Sequence, residues 1–239
     1  MLLDIHSHIL PAVDDGASNT EESLNLLYAM KSQGITDVIA TPHFYPLDDD
    51  FGEYKKRISA AYSDLLKEVR GKNLPNIYLG SEVFYYRYIG TSESIYEFCI
   101  NGSPYLLLEL ADDCICDELL KDIEDLIEKQ GIIPIIAHLE RYHRSRQYKK
   151  LLKYIKKNGI LAHINASSLF SSNRRKITEK LIKGGYVNFI ATDAHSMEKR
   201  PPLMKKALEY ISENIGAEYA SGFIRNSQTL LEKISGDNI

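Results

Sequence analysis

Short apolar runs alternate with longer amphipathic segments along this chain, and this alternation limits the fold more than any other feature of the sequence. Apolar runs of about four to eight residues are typical of strands in a parallel sheet that is covered on both faces. Gly34, Gly131 and Gly159 each stand between an amphipathic segment and the next apolar run, as expected where a helix ends and a strand follows. Seven strands are predicted, at residues 2–6, 35–41, 77–83, 105–110, 132–137, 160–165 and 187–192.

Seven such units in 239 residues predict an α/β fold, a distorted TIM-like (β/α)7 barrel that forms a single domain over residues 1–239. An open doubly wound sheet is the alternative architecture. The first run leads into His6-Ser7-His8, so a glycine-rich phosphate loop is not expected after the first strand.

Composition and charge exclude several functional classes. Hydrophobic residues make up 44% of the chain and charged residues 26%, as in an ordinary soluble enzyme. The run at 132–137 is far shorter than the roughly 20 residues of a membrane helix, and the first residues lack the basic start of a signal peptide, so no membrane insertion is expected. A net charge of −4 makes nucleic acid an unexpected partner. Three cysteines, Cys99, Cys114 and Cys116, indicate reduced thiols and a cytoplasmic protein.

Each predicted strand ends in or is followed by a histidine, an acidic residue or an asparagine. The carboxyl ends of barrel strands converge on one mouth, where active sites lie. A lone histidine in such a place is more often a packing residue, but many imidazoles and carboxylates at one mouth need a cation to offset them. His6 and His8 are two residues apart in a strand, so both can reach the same ion.

Mixed histidine and carboxylate ligands suit divalent ions such as Mn, Fe or Zn. The candidate ligands exceed what one ion can use, which favours two or three ions with Glu82 or Asp193 as a bridge. Such a cluster activates water near neutral pH and stabilises charge on the attacking and leaving oxygens of a phosphoester. Arg141 and Arg200 follow two of the histidines, and guanidinium groups hold phosphate bidentately.

In combination, these motifs resemble those of the PHP (polymerase and histidinol phosphatase) superfamily. Within it, the chain resembles the manganese-dependent protein-tyrosine phosphatases of bacterial capsule and exopolysaccharide loci. The resemblance covers essentially the whole chain. It is carried by DIHSHIL at 4–10, VDDG at 13–16, ATPH at 40–43, GSE at 80–82, HLERY at 138–142, DAH at 193–195 and RPP at 200–202.

This resemblance implies a metal-dependent tyrosine phosphatase with a trinuclear centre, in which a metal-activated hydroxide attacks phosphotyrosine. It implies Mn²⁺ as the preferred ion, with Fe, Zn or Mg as alternatives, and a bacterial tyrosine kinase as the phosphoprotein substrate. Arg141 and Arg200 are implied to hold the phosphate. Either Asp14 or Asp15 can fill the third ligand position, and Asp15 is favoured because it directly precedes Gly16. The implied metal ligands are His6, His8, Asp15, His43, Glu82, Glu109, His138, Asp193 and His195.

Other polar and aromatic residues have less certain places. His163 shares a strand face with Asn165 and is predicted to pack rather than to bind metal. The aromatic stretch at 84–88 is predicted to lie at the mouth, where it could contact a phosphotyrosine ring.

Several rival functions stay open. The closest are a histidinol-phosphate or other small-molecule phosphatase and a PHP-type 3′–5′ exonuclease. An amidohydrolase and a non-catalytic partner of a membrane-associated tyrosine kinase are the remaining alternatives. The cysteine phosphatases are excluded because no cysteine of the chain begins a Cys-x5-Arg motif.

Overall fold

The computed structural model describes residues 1–111 and 115–236, so Cys114 lies outside the described residues. In these ranges the chain alternates strands and helices. The strands are β1 (Leu3–Ser7), β2 (Asp37–Ala40), β3 (His43–Phe44), β4 (Asn76–Leu79), β5 (Glu82–Phe84), β6 (Tyr105–Glu109), β7 (Ile133–Ile136), β8 (Leu161–Asn165) and β9 (Phe189–Ala191). The α-helices are α1 (Thr20–Ser32), α2 (Phe51–Val69), α3 (Asp117–Gln130), α4 (Tyr148–Asn158), α5 (Arg175–Lys183), α6 (Met204–Asn214) and α7 (Ala217–Ile234).

The strands pair in parallel in two sheets, of order β1-β2-β4 and β3-β5-β6-β7-β8-β9. The two sheets join where two of the predicted strands are interrupted. Gly80 N donates to Ala40 O at 2.9 Å, and Glu82 N donates to Pro42 O at 3.0 Å. The parallel pairing therefore continues from β2 and β4 into β3 and β5.

The chain beyond β9 returns to lie beside β1. Asp193 N donates to His6 O and His8 N donates to Ala194 O, each at 2.9 Å, and Ser7 forms a parallel bridge with Ala194. The residues that follow β9 make these hydrogen bonds to the end of β1, and β9 itself does not pair with β1. The predicted α/β fold of parallel strands is confirmed, with its irregularity at this connection and at the two interruptions.

Both faces of the strands are buried, which explains the continuous apolar runs. In β6, Leu107 belongs to an inner cluster, while Leu106 and Leu108 belong to the larger cluster under the helices. α7 contributes Leu230 and Leu231 to the inner cluster, so it covers the amino ends of the strands. The carboxyl ends are thus left for the site. No helix among the described residues is long and apolar enough to cross a membrane.

Candidate metal centre

The candidate ligands come together at the carboxyl ends of the strands. His6 lies in β1 and Glu109 ends β6, while His43 and Glu82 begin β3 and β5 directly after the two strand interruptions. The others lie in the segments that follow β1, β7 and β9. Those residues are His8, Asp15, His138, Asp193 and His195.

Glu82 lies at the centre of this arrangement and is fully buried. Its Oε2 atom lies 3.0 Å from His6 Nε2, 3.3 Å from His8 Nε2 and 3.0 Å from His43 Nδ1. Its Oε1 atom lies 3.0 Å from His138 Nε2. A carboxylate that reaches four imidazoles at once is placed to bridge metal ions.

The donor atoms form three overlapping groups, within each of which all atoms lie within 4.8 Å of one another. His138 adjoins the group that contains Glu82 and Glu109, because His138 Nε2 lies 3.2 Å from Glu109 Oε1. Two of the groups share His8 and two share His43, so the three groups lie side by side at the mouth. The groups are His6, His8 and Asp193; His43, Glu82 and Glu109; and His8, Asp15, His43 and His195.

Hydrogen bonds at the outer ring nitrogens aim the inner nitrogens of two histidines at each other. His8 Nδ1 donates to Asp14 Oδ2 at 2.7 Å. The His138 N–H group donates to His163 Nε2 at 3.3 Å, and His6 Nδ1 lies 3.0 Å from the same His163 atom. The Nε2 atoms of His6 and His8 lie 3.0 Å apart, and both face Glu82 Oε2. Two ring nitrogens this close need a proton or a cation between them, and the donor set fits a divalent metal ion.

The pKa values show the same need for positive charge. Burial alone would lower the pKa of the imidazoles, but the carboxylates of Asp14 and Glu82 raise the pKa of His8 to about 9. Asp15 and Glu82 likewise raise the pKa of His43 to about 10. Glu82 Oε2, His43 Nδ1 and His195 Nε2 are buried with no hydrogen-bond partner of acceptable geometry among the described residues. Buried polar atoms of this kind are normally paired, and a metal ion would pair them.

The two aspartates after β1 have different positions. Asp15 Oδ1 lies 3.4 Å from His43 Nε2 and 3.2 Å from His195 Nε2, so Asp15 belongs to a donor group. Asp14 lies behind His8 and also accepts a hydrogen bond from His43 N at 3.1 Å. Asp15 thus lies within a donor group, whereas Asp14 orients His8 through its Nδ1 atom.

The backbone is unusual at two candidate ligands. His138 has φ of 32° and Asp193 has φ of 51°, a left-handed conformation that costs energy in residues other than glycine and clusters at functional sites. Asp193 is held by its neighbour, because the Asp4 carboxylate accepts hydrogen bonds from Thr192 N at 2.9 Å and from Thr192 Oγ1. Burial raises the pKa of Asp4 to about 7, although both of these hydrogen bonds oppose the rise.

Both predicted arginines border the centre. Arg141 Nη2 donates to Asp193, and its Nη1 lies 3.8 Å from Glu109 Oε1. Arg200 Nη2 donates to Asp15 Oδ2 at 2.7 Å, and its Nη1 lies 3.7 Å from Asp193 Oδ1. Neither side chain is fully buried, so both can reach a ligand that enters from the mouth.

Some residues at the site were not recognised in the sequence. Tyr142 Oη lies 3.3 Å from His138 Nδ1, and the ring of Tyr45 stacks on His43 with centroids 5.0 Å apart. His163 was predicted to pack, and it is buried, but it also contacts the ring of His6 as described above. Spacing offers a signal for the two tyrosines, since Tyr142 follows His138 by one helical turn and Tyr45 follows His43 by two residues.

The predicted aromatic stretch lies to one side of the donor groups. Phe84 contacts Tyr45, with ring centroids 5.7 Å apart. Tyr85 Oη and Tyr88 N both donate to Asp122 Oδ2 in α3, at 2.8 and 3.0 Å. The start of the stretch therefore reaches the aromatic ring that stacks on a candidate ligand.

Comparison with known proteins places this chain in a family. The chain is 33% identical to CapC of Staphylococcus aureus over 245 aligned positions, and the alignment covers 98% of this chain and 93% of CapC. It is 29% identical to the tyrosine-protein phosphatase YwqE of Bacillus subtilis over 241 residues, covering 96% and 91%.

Solved structures agree with these sequence relatives. A chain from the crystal structures of YwqE from Bacillus subtilis and CpsB from Streptococcus pneumoniae, described as metal-dependent tyrosine phosphatases, superposes with a TM-score of 0.84 at 26% identity, covering 100% of this chain and 96% of that one. A histidinol phosphate phosphatase from Lactococcus lactis shares the fold alone, at a TM-score of 0.53 and 14% identity. The model of the CpsB/CapC family of capsular polysaccharide synthesis matches residues 2–232, and the chain belongs to that family.

Proposed function

We propose that this chain is a metal-dependent protein-tyrosine phosphatase that acts in bacterial capsule or exopolysaccharide synthesis. The observation that supports this best is the set of three overlapping donor groups around Glu82, bordered by two arginines. Metallophosphatases need such an arrangement, because ions and guanidinium groups together offset the charge of the reacting phosphate. The named activity of the YwqE and CpsB relatives agrees with this proposal.

The metal ligands in this proposal are the nine residues that meet at the mouth: His6, His8, Asp15, His43, Glu82, Glu109, His138, Asp193 and His195. They would hold two or three ions, and the mixture of imidazole and carboxylate suits Mn²⁺, with Fe, Zn or Mg as alternatives. When bound, the ions supply a water nucleophile at neutral pH and a Lewis acid for the phosphate oxygens.

The protein's own contribution is to bind and orient the phosphoester. Arg141 and Arg200 exchange part of their contact with Asp193 and Asp15 for the phosphate oxygens, and so neutralise charge that grows in the transition state. The ring of Tyr45 is placed to contact the phosphotyrosine ring. A tyrosyl oxygen has a pKa of about 10 and leaves readily, so the reaction does not depend on a strong general acid.

The substrate we propose is a phosphotyrosine protein, a bacterial tyrosine kinase of the capsule pathway. A kinase of this kind is reached from the cytoplasm, so we propose a cytoplasmic location for the chain. We also propose that residues 1–239 act as one domain, because the donor groups draw on residues from His6 to His195.

The test uses protein stripped with a chelator and then supplied with Mn²⁺, Zn²⁺ or Mg²⁺. Phosphate release from a phosphotyrosyl peptide is expected only with added metal, and Arg141→Ala is expected to lower kcat/KM by about 100-fold or more. Lys153→Ala, a change of an exposed cation on α4, serves as the control and is expected to retain activity.

The rival functions are tested with histidinol phosphate in the same phosphate-release assay and with single-stranded DNA in an assay for released nucleoside monophosphates. Faster turnover of either one than of the phosphotyrosyl peptide would replace our proposal with that activity. Equal phosphate release before and after metal removal would refute the metal-dependent mechanism itself.

A further inference from the structure

A cavity of about 410 Å³ opens beside Arg141. It lies between the 3-10 helix Leu139–Arg144 and the segment that leads into α5. No carboxylate is among its lining residues, and the part of the chain that the structure describes forms no ion pair or hydrogen bond with the guanidinium group of Arg144 or of Arg174. The lining residues are Arg141, His143, Arg144, Ser171, Asn173 and Arg174.

The basic charge at the start of α5 is anomalous for a helix. Arg174 stands at the N-cap position without a side-chain cap, Arg175 and Lys176 follow it, and the first turn has no acidic residue. The amino end of a helix carries partial positive charge, so cations there are unfavourable by themselves. The whole chain has a net charge of −4, so this concentration of cations does not reflect a general excess of basic residues.

We propose that this cavity is a second anion subsite, which binds an acidic or phosphorylated side chain of the polypeptide substrate near the phosphotyrosine. The inference rests on the proposed phosphatase function and makes it more specific. Arg141 connects the two places, because it lines the cavity and also donates to Asp193 of the metal centre. A second anion on the same peptide therefore lies next to the phosphate at the mouth, where Arg144 and Arg174 neutralise it.

The lining favours a polypeptide over single-stranded nucleic acid. Sites for single strands combine a basic groove with aromatic rings on which bases stack. The cavity has guanidinium groups but no aromatic residue among its lining side chains. Its chemistry is therefore that of carboxylate or phosphate recognition.

The test compares two phosphotyrosyl peptides of equal length, one with glutamate and one with glutamine on both sides of the phosphotyrosine. For the Mn²⁺-loaded protein, kcat/KM is expected to be about fivefold to tenfold higher for the glutamate peptide, as two or three partly exposed charge pairs allow. In the double variant Arg144→Ala/Arg174→Ala this preference is expected to fall below twofold. Hydrolysis of p-nitrophenyl phosphate, which carries no second anion, is expected to stay unchanged.

The control is Arg225→Ala. Arg225 is an exposed arginine of α7, beside Asn226, which bonds to Asn188 O before the amino end of β9. Arg225→Ala removes one positive charge, as each of the two substitutions in the double variant does. It is expected to keep the full preference for the glutamate peptide. Raising the salt concentration should reduce the preference in the unchanged protein and have little effect in the double variant.

Three results would overturn the inference, and they differ from one another. Equal kcat/KM for the two peptides, with both cleaved, would overturn the subsite and leave the phosphatase function intact. Failure to cleave either peptide would overturn the proposed function together with the subsite. Inhibition by an oligothymidylate at lower concentration than by the glutamate peptide, relieved in the double variant, would assign the cavity to nucleic acid.

Discussion

Comparing Asp14→Asn with Asp15→Asn distinguishes a residue that orients a metal ligand from a residue that is itself a proposed ligand. The Asp14 side chain is only 6% exposed and offers two oxygens to three N–H groups. Oδ2 accepts from His8 Nδ1 at 2.7 Å and from His43 N at 3.1 Å, and Oδ1 accepts from Gly16 N at 2.9 Å. Asparagine has one oxygen, so in either orientation at least one of these N–H groups faces the amide NH₂.

The size of the effect follows from this mismatch. A buried donor without a partner costs about 1–3 kcal/mol, so Asp14→Asn should destabilise the metal-free protein by that amount. Loss of the carboxylate that orients a metal-binding histidine typically lowers metal affinity by about 10–100-fold. We therefore expect the variant to bind the same number of ions as the unchanged protein, with one of them held more weakly by about 1.4–2.7 kcal/mol.

Asp15→Asn is the informative comparison. In the unchanged protein, Asp15 Oδ1 belongs to a donor group with His43 and His195, but the Asp15 side chain is 60% exposed. We expect this variant to lose one ion per chain and to keep its thermal stability in the metal-free state. Metal content is measured by mass spectrometry after dialysis, and metal affinity is measured by Mn²⁺ titration. The control is Asp48→Asn, a change at an exposed acidic residue beside the mouth. The reasoning is refuted if Asp14→Asn loses an ion while Asp15→Asn retains all of them.

Three further predictions address the centre and the thiols. Glu82→Gln should abolish binding of at least two ions, since its carboxylate reaches four imidazoles, and full metal content in this variant would contradict a bridging role. His163→Leu should weaken Mn²⁺ binding by about 10–100-fold because His6 Nδ1 loses its hydrogen-bond partner, whereas His163→Gln, which keeps a polar group at this place, should recover part of the affinity; equal affinities would rule out this role. Burial raises the pKa of Cys99 to about 12, so iodoacetamide at pH 8 should label half-buried Cys116 but not Cys99 in the native protein, with mass mapping of the adducts as the readout; rapid Cys99 labelling would contradict its burial.

The strands were predictable because a strand that is buried on both faces appears in the sequence as a continuous apolar run. Each strand of the sheets needs apolar residues on both faces, so the runs stand out against the amphipathic helices. The predicted strand at 105–110 differs from β6 by a single residue at its end. The polar residues that ended those runs were the ones that the structure brings together, because parallel strands carry their carboxyl ends to one side.

The interruptions of two strands were not predictable from apolarity. Pro42 has no N–H group, and the predicted strand at 35–41 ends before it, yet the Pro42 carbonyl accepts a hydrogen bond from Glu82 N, and β3 follows. The run at 77–83 contains a break at residues 80 and 81 that hydrophobicity does not register. These interruptions place His43 and Glu82 side by side in register, so they contribute directly to the site.

The partners that orient the histidines are the part of the site that sequence patterns cannot supply. His163 and His6 are 157 residues apart, and Thr192 and Asp4 are 188 apart, so only the closed fold brings each pair together. Polarity alone does not divide the neighbouring pair Asp14 and Asp15, and it is the family resemblance that favours Asp15 from its place before Gly16. The division depends on Gly16, because a Cβ atom there would lie 2.2 Å from His8 O, and only glycine lets the loop turn back closely enough to put Asp14 behind the His8 ring. Replacing Gly16 with alanine should therefore disturb metal binding through Asp14 even though neither the glycine nor Asp14 belongs to a donor group, and unchanged Mn²⁺ affinity in that variant would refute this account of the loop.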